Sequence, residues 1–550
     1  MRPWRTHFPD AANWDAPVDR GVLPDLLGGS VRDWAERPAI SFRATTISYR
    51  ELGDLVDRAA SGFLSIGICK GATVALYLPN TPWHPICFFA LTKIGARVAH
   101  ISALDAPREI AHKISDSGAI ALVTTNWSNL LQQAMSHRKP GLRLVIGDDA
   151  RWGGLSNAAP FELGDDVLSL DALLRDARVV DFLDVTPEDV ALLQYTGGTT
   201  GLPKAAMLTH GNLVASVGMY RAWNDGLRPP PGEGRTLCVL PLFHIYALST
   251  IMLRCIREGD ELLLHARFDI ESVLADIEQK RATSLAGVPT IWIAIANHPG
   301  IETRDFSSLL LPASGGAPMP FDMEQRVEKL VGRRLRLGWG MSETAPAGTR
   351  VPPTAEPRPG LIGVPYPNID MRIVSLDDPA KPLPPDEMGE IAIRGANVFA
   401  GYWNQPEETR AAFVDGWFLT GDIGAMDEKG VFRILDRKKN MIISSGFNVY
   451  PTAIENALYD HPDVRECIVI GIADPYRGQA AKAFIALRSG APEMTLAELQ
   501  EFLATRVGRH EIPTALEIRA ELPRSPAGKL LAKILIEEER AKAASPRRAS

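Results

Sequence analysis

From Ile47 onward, apolar positions alternate between helical spacing and short continuous runs. Tyr49 to Leu64 carries the helical spacing, and T-V-A-L-Y-L at 73–78 reads as a buried strand that Pro79-Asn80 stops. The alternation continues through a helix at 84–96, a strand at 98–101, a helix at 106–117 and a strand at 119–124. Strands separated by helices in this way predict a parallel sheet covered by helices. Residues 149–188 read as loop, and 191–195 as a strand running into a Gly/Thr-rich stretch. Thr209 then caps a helix over 211–223. A second series follows: a strand at 237–240, an apolar helix to Cys255, a helix at 270–280, a strand at 284–288 and a helix at 289–297. Two more strands, within 311–318 and 335–345, run into glycines, and ligands of open α/β sheets sit at such carboxyl-end loops.

Past residue 350 the pattern shortens into a β-rich module with strands at 370–374 and 389–394. At 431–450 charges fall between two apolar strands, which places a domain boundary at Asp436. Beyond it come a helix at 451–459, strands at 467–472 and 482–488, a helix at 495–507, the run P-R-S-P-A-G-K at 523–529, and a charged tail expected to fray. Residues 1–35, rich in Pro, Asp and Trp, are expected to wrap a surface. The expected fold is therefore α/β. A large N-terminal domain (1–435) of layered α/β sheets carries a β-rich module, and a small α+β domain (437–550) follows the boundary at 436.

Length and composition narrow the partners. A chain of 550 residues exceeds a single ordinary core, and 45% hydrophobic with 23% charged residues is a globular composition. A net charge of −7 gives no electrostatic case for nucleic acid or an anionic membrane as main partner. The five cysteines are scattered and lack C-x-x-C spacing, so they read as reduced core residues. The N-terminus has no apolar signal region, and no run is apolar enough to span a bilayer. The expectation is a soluble, cytoplasmic enzyme.

The densest chemistry lies at 195–210, Y-T-G-G-T-T-G-L-P-K-A-A-M-L-T-H. Gly197, Gly198 and Gly201 allow backbone N–H groups to converge on one anion. Thr196, Thr199 and Thr200 add hydroxyl donors and Lys204 a positive charge. This is a phosphate cradle, although not the common P-loop, since no Ser or Thr follows the lysine.

Five segments in order, Thr196 to Lys204, Gly338 to Thr344, Gly416 to Asp422, Asp436 to Pro451 and Pro523 to Lys529, resemble the successive motifs of the adenylate-forming acyl-CoA synthetases. The resemblance covers about Ile47 to Lys529. Y-T-G-G-T-T-G and L-P-L-F-H-I-Y-A-L look most like bacterial medium- and long-chain fatty acid–CoA ligases. Such enzymes use ATP to convert a carboxylic acid to an acyl-adenylate, which CoA then attacks. The resemblance therefore implies ATP, CoA and Mg²⁺, and a C-terminal domain that moves between half-reactions about Asp436.

It also distributes roles. The 196–204 loop, Gly315, Gly316, Ala317, Gly338, Trp339, Gly340, Met341, Ser342, Asp422, Ile434, Arg437 and Lys529 form the nucleotide set. Trp339 would stack on adenine and Asp422 would accept the ribose hydroxyls. Glu343 and Thr196 resemble the Mg²⁺ pair, and Lys529 the lysine that bridges carboxylate and α-phosphate. Phe243, His244, Val288 and Gly340 resemble the acyl site, with His244 also in the catalytic set beside Lys529, Glu343 and Thr196. Lys439, Ser445, Gly446 and Phe447 resemble the CoA segment. The chain departs from the commoner pattern at Ala205, Trp339, Ser342, Asn440 and Ser445, the last standing where glycine is usual. In some bacterial relatives the bridging lysine is reversibly acylated, which makes a lysine acyltransferase or deacylase acting on Lys529 a further partner.

Three alternatives stay open at this stage. Arg350, just after the Glu343 motif, could meet a distal carboxylate, which keeps a dicarboxylate such as pimelate alive beside an aryl acid. An adenylating enzyme that loads a carrier protein would need a separate partner, as no G-x-[DH]-S-[LI] segment occurs. A catalytically silent AMP-binding protein would have no use for Thr196, Lys204, Glu343, Asp422 and Lys529 together.

Overall fold

A computed structural model describes residues 2–544 apart from 9–13, 16, 155–157, 176–183, 197–202, 225, 318, 359, 446 and 525–529. Its internal contacts divide the chain into two compact units. The first comprises residues 1–356, 362–370 and 393–418; the second comprises 357–361, 371–392 and 419–550. Asp436, expected as the hinge, lies within the second unit.

The first unit holds two sheets. One orders its strands Val167–Ser169, Arg143–Gly147, Ala121–Thr125, Thr73–Leu76, Arg97–His100, Val190–Thr196 and Lys204–Thr209. All pair parallel except the last, which returns antiparallel beside Val190–Thr196. Thr73–Leu76 and Ala121–Thr125 are buried along their whole length, as parallel strands covered on both faces must be. The helix Trp83–Lys93 is buried from Trp83 through Thr92, in keeping with apolar residues on every side.

The other sheet runs from Thr45–Ser48 through Pro38–Phe42, Glu261–Leu264, Arg235–Cys238, Ser284–Gly287, Leu311–Ser314 and Arg336–Trp339 to Thr349–Arg350. Thr349 and Arg350 then pair with Pro365 and Val364. Four of these strands end at one edge, where Val239, Val288, Gly315 and Gly340 begin the loops that matter below.

Three sequence expectations change. The segment within 1–35 does more than wrap a surface: Leu23–Trp34 is a helix whose Leu23, Leu26 and Leu27 are buried at i, i+3, i+4 spacing. The stretch 149–188 contains a paired strand, Val167–Ser169, and a helix, Leu170–Arg175. The charged tail, expected to fray, forms the helix Ala532–Ala544, whose Leu535 is fully buried beside Ile468, Ile470 and Phe484. One narrow apolar stripe suffices to dock it.

In the second unit residues 422–426 of the strand Trp417–Met426 pair antiparallel with Phe432–Arg437, bringing Asp422 opposite Arg437. A further sheet orders Phe447–Val449, Ile442–Ser444, Gly478–Leu487 and Val464–Asp474, with Ala515–Ile518 parallel to Gly478–Leu487. The helices Pro451–Tyr459 and Leu496–Leu503 pack on one apolar face of this sheet, around Ile454, Leu458 and Leu499.

Candidate active site

The stretch expected to cradle phosphate joins two antiparallel strands. Val190–Thr196 and Lys204–Thr209 pair with Thr196 opposite Lys204, and Thr196 Oγ1 donates to the Lys204 carbonyl at 3.3 Å. Sequence reasoning missed the return strand, because A-A-M-L-T is short and directly precedes a helix. Gly197, Gly198, Thr199, Thr200 and Gly201 lie outside the described residues. Lys204 Nζ stands 2.7 Å from the exposed Glu408 carboxylate, a surface pair worth about 0–1 kcal/mol.

Glu343 sits on a single turn, Ser342–Thr344, that follows the strand Arg336–Trp339. The side chain of Thr344 closes this turn on the Met341 backbone, donating to its carbonyl at 3.0 Å and accepting from its N–H at 3.1 Å. Asn397, fully buried, donates to the carbonyls of Thr344 and Ala347 at 2.7 and 2.6 Å. Glu343 itself is 6% exposed and accepts from the Tyr402 hydroxyl at 3.0 Å. Burial first, and then the neighbouring carboxylate, raise the Tyr402 hydroxyl well above its ordinary value, so the phenol keeps its proton and stays a donor.

The cradle and this carboxylate share one piece of scaffold. Phe399 N–H donates to the Glu343 carbonyl, Ala400 N–H to Met207 and Trp403 N–H to Ala205, while Met207 N–H returns to Gly401. Residues 399–403 thus lie along the return strand of the hairpin and end at the phenol that holds Glu343. Neither Tyr402 nor Asn397 carried a signal in isolation; G-Y-W at 401–403 was the available cue.

Two glycines of the nucleotide set have a steric reason. A side chain at Gly338 would collide with the Thr349 carbonyl, and one at Gly340 with that of Pro346. Trp339, half-buried, lies against Gly348, where only a hydrogen leaves room for the indole. Gly316 has φ +79°, and its missing Cβ would stand 3.5 Å from Val288. Gly315 presses on the Tyr246 ring, and Ala317 follows directly in the same turn. Val288, expected at the acyl site, is therefore brought beside the expected adenine wall.

The loop holding Phe243 and His244 is fixed from below. Buried Asn80 donates to the Leu240 and His265 carbonyls and accepts from Leu242 N–H at 2.8 Å. Gln194 donates to the Phe243 carbonyl at 3.1 Å and meets His100 Nδ1 at 3.2 Å. Burial lowers His100 to about 4, so this imidazole is neutral near pH 7. His244 is exposed, and its Nδ1 accepts from Tyr246 N–H at 3.2 Å.

In the second unit the fully buried Asp422 pairs with Arg437 at 2.7 Å. Asp436 accepts from Arg437 N–H at 2.6 Å and from Thr452 N–H at 2.8 Å, the latter at the start of the helix Pro451–Tyr459. Burial raises the Asp436 carboxyl even against these hydrogen bonds. Ile434 N–H donates to the Gly360 carbonyl, and Lys438, next to Lys439, pairs with buried Glu390 at 2.8 Å. Glu390 was not anticipated. Ser445 adopts φ +52°, the left-handed region where a glycine would be unstrained. Gly446 and Lys529 lie outside the described residues, as does the Phe447 side chain.

Among the described residues no three His, Cys, Asp or Glu side chains gather as a metal site. The donors present, a buried carboxylate at Glu343 and the Thr196 hydroxyl, are hard oxygens. They suit Mg²⁺ arriving with nucleotide phosphates rather than a resident transition metal. No helix of the described residues is long and apolar enough to cross a membrane.

Comparison with known proteins places this geometry. Residues 29–403 match the AMP-binding enzyme family, and residues 453–529 match the AMP-binding enzyme C-terminal domain. A long-chain-fatty-acid–CoA ligase of Bacillus subtilis is 33% identical over 560 residues, covering 98% of both chains. A feruloyl-CoA synthase of Amycolatopsis sp is 36% identical over 496 residues, covering 90% of this chain and 94% of its own. The crystal structure of ATP-bound MatB from Rhodopseudomonas palustris superposes with a TM-score of 0.83 at 26% identity, covering 94% of this chain and 99% of that one. The chain belongs to the AMP-binding enzymes, and within them to the ATP-dependent acyl-CoA synthetases.

Proposed function

We propose that the protein joins a medium- or long-chain carboxylic acid to CoA in two half-reactions. In the first, a carboxylate oxygen bonds to the α-phosphorus of ATP and pyrophosphate leaves. In the second, the CoA sulfur, having given up its proton, bonds to the acyl carbon and AMP leaves. The long-chain-fatty-acid–CoA ligases among its relatives support the acid class. The buried apolar side chains Leu248, Ile251, Ile291 and Trp292 support an alkyl body, at about 0.8 kcal/mol per buried CH₂.

The observation that carries the reading is the common mounting of the cradle strand and Glu343 on residues 399–403. It supports a site in which triphosphate and metal carboxylate keep a fixed separation, as positioning and electrostatic stabilisation of phosphoryl chemistry require. Lys204 releases exposed Glu408 at little cost and turns to the phosphates. Glu343 and Thr196 would hold Mg²⁺, which when bound neutralises charge between the phosphates and the incoming carboxylate. Trp339 and the 315–317 turn take the adenine, and Asp422, oriented by Arg437, takes the ribose hydroxyls. Phe243 and His244 border the acyl entrance, with Gln194 and His100 setting their loop.

Lys529 bridges carboxylate and α-phosphate in the first half-reaction, and the CoA segment 439–447 serves the second. The change between them takes place at Asp436, between a domain of residues 1–435 and one of 437–550. Because the Asp436 carboxylate holds Thr452 N–H, a change of φ and ψ there carries the helix Pro451–Tyr459 with it. Acylation of Lys529 by an acyltransferase would remove its charge and stop the first half-reaction alone. The test is AMP release with ATP, Mg²⁺ and CoA across acids from acetate to palmitate. Lys529→Ala is expected to abolish adenylate formation while sparing thioester formation from supplied acyl-AMP; equal loss of both would refute the hinge account.

A further inference from the structure

Against the strands that lead to Gly315 and Gly340 the first unit holds a small, partly open cavity of about 20 Å³. Its floor is one face of the second sheet: Ser284 and Ala286, Leu311 and Ala313, and Arg336 on neighbouring strands. Its roof comes from the helices that carry Tyr220, Thr250, Ile251 and Arg254, and Arg350 closes it opposite Gly338. A space this small, floored by alanines, would ordinarily be lined by aliphatic side chains. Here three guanidiniums converge on it.

Their partners do not balance them. Arg254 has a carboxylate at one remove, Asp260 at 4.0 Å, and otherwise donates to Thr250 O, Thr236 Oγ1 and Ser284 Oγ. Arg336 donates to the Asn224 side-chain oxygen, and Arg350 to the Arg336 carbonyl at 3.2 Å. Among the described residues neither Arg336 nor Arg350 forms an ion pair. Arg350 is 8% exposed, its guanidinium lies 5.9 Å from the Tyr366 ring centre, and its Nε has no hydrogen-bond partner. Burial, and then the charges of Arg350 and Arg254, pull Arg336 down to about 9. Two adjacent guanidiniums, Arg350 buried and Arg336 half-buried, have lost hydration and repel each other, which an anion between them would offset.

Two of the lining residues stand on strands that run into the expected nucleotide loops: Arg336 begins the strand that ends at Trp339, and Ala313 lies on the strand that ends at Ser314, directly before Gly315. Three to four residues at about 3.3 Å each separate the level of Arg336 from Gly340, so a medium-length spacer reaches from one to the other. A planar fork such as guanidinium recognises carboxylate best, through two parallel N–H···O bonds.

We propose that this cavity is the far end of the acyl pocket and takes the distal carboxylate of a medium-chain α,ω-dicarboxylic acid, which Arg336 and Arg350 bind. The proposal rests on the acid–CoA ligase reading and narrows its substrate class.

The experiment is acid-dependent AMP release by the full chain with a series from adipate to sebacate, each beside the monocarboxylate of equal length. The same panel is run on Arg350→Met and Arg350→Lys. The wild type should favour the dicarboxylate by about 100-fold in kcat/KM at its best length. Arg350→Met should abolish that preference, chiefly through the dicarboxylate KM, and Arg350→Lys should restore part of it. Binding is read separately by thermal shift, where the preferred dicarboxylate should raise Tm of the wild type and leave Arg350→Met unmoved. Faster turnover of monocarboxylates by the wild type would overturn the subsite and leave the ligase intact. So would an equal thermal shift from inorganic sulfate. AMP release with no acid of either series would count against the ligase reading itself, and thermal shift would then still judge the subsite.

Discussion

Two clusters of charge in this protein are built on opposite plans. In the second unit, Lys482 reaches Glu517 at 2.8 Å and Glu539 at 3.0 Å, Arg519 reaches Glu517 and Glu538, and Lys542 returns to Glu517 and Glu539. Every cation there has a carboxylate, and the network ties the helix Ala532–Ala544 to the strands Gly478–Leu487 and Ala515–Ile518. Burial opposes the Glu517 charge, but hydrogen bonds from Lys482, Arg519 and Lys542 hold its carboxyl down to about 2. In the first unit, Arg336 and Arg350 face a cavity with neutral acceptors only. A balanced cluster lowers the energy of the fold itself, whereas an unbalanced one raises it until a ligand arrives. The two kinds of charge should therefore fail differently when removed.

The largest expected effect separates them most cleanly. Glu343→Gln should lower kcat/KM for ATP by about 10³-fold while Tm changes little, because the amide oxygen still accepts from the Tyr402 hydroxyl and what is lost is the charge offered to the nucleotide's metal. A matching loss of Tm would place Glu343 among the structural charges.

A second test contrasts two carboxyls of the second unit. Unlike Glu517, the Glu455 carboxyl is pushed up by burial to about 7, although it accepts from Val469 N–H at 2.7 Å. A carboxyl of ordinary value near 4.5 when unfolded and near 7 when folded binds its proton more tightly in the fold. Its stabilisation is fully present below about 4.5 and is lost as pH rises through about 7. The slope is at most about 1.4 kcal/mol per pH unit. Denaturation midpoints of the second unit measured across this window should fall with pH, and Glu455→Gln should flatten the fall; a slope unchanged in the variant would show that Glu455 does not titrate there.

The smallest effect is the mirror of the first. Lys482→Met should cost about 1 kcal/mol of stability, since Glu517 and Glu539 lose their most buried cation and keep only Arg519 and Lys542. It should leave kcat unchanged at temperatures where the variant is folded. Loss of kcat without loss of stability would mean the balanced cluster takes part in the reaction.

The sequence and the structure agree where information is local. Strands running into glycines at 315–316 and 338–340, and the helix starts at Thr209 and Pro451, follow from neighbouring residues alone. The phosphate reading of 196–204 was local as well, but 197–202 lie outside the described residues and only the flanking strands are seen. What escaped depends on distant pairing. The return strand Lys204–Thr209 exists because Val190–Thr196 and residues 399–403 flank it. The C-terminal helix exists because Leu535 finds Phe484, which no periodicity in an E-E-E-R tract announces. Arg350 was noticeable as a lone cation near a motif. That Arg254 and Arg336 join it, with no carboxylate paired to Arg336 or Arg350 among the described residues, depends on sheet register and helix packing and is invisible along the chain.

The mounting of Glu343 has a consequence for any attempt to re-engineer the enzyme. The cradle and its carboxylate are spaced by the segment 399–403, which lies some two hundred positions from the cradle in sequence and alongside it in space. A nucleotide loop transplanted from a relative would therefore arrive without the ruler that sets its distance from the metal. A transplant that carries residues 399–403 together with 196–209 moves the whole measuring device and should keep its calibration.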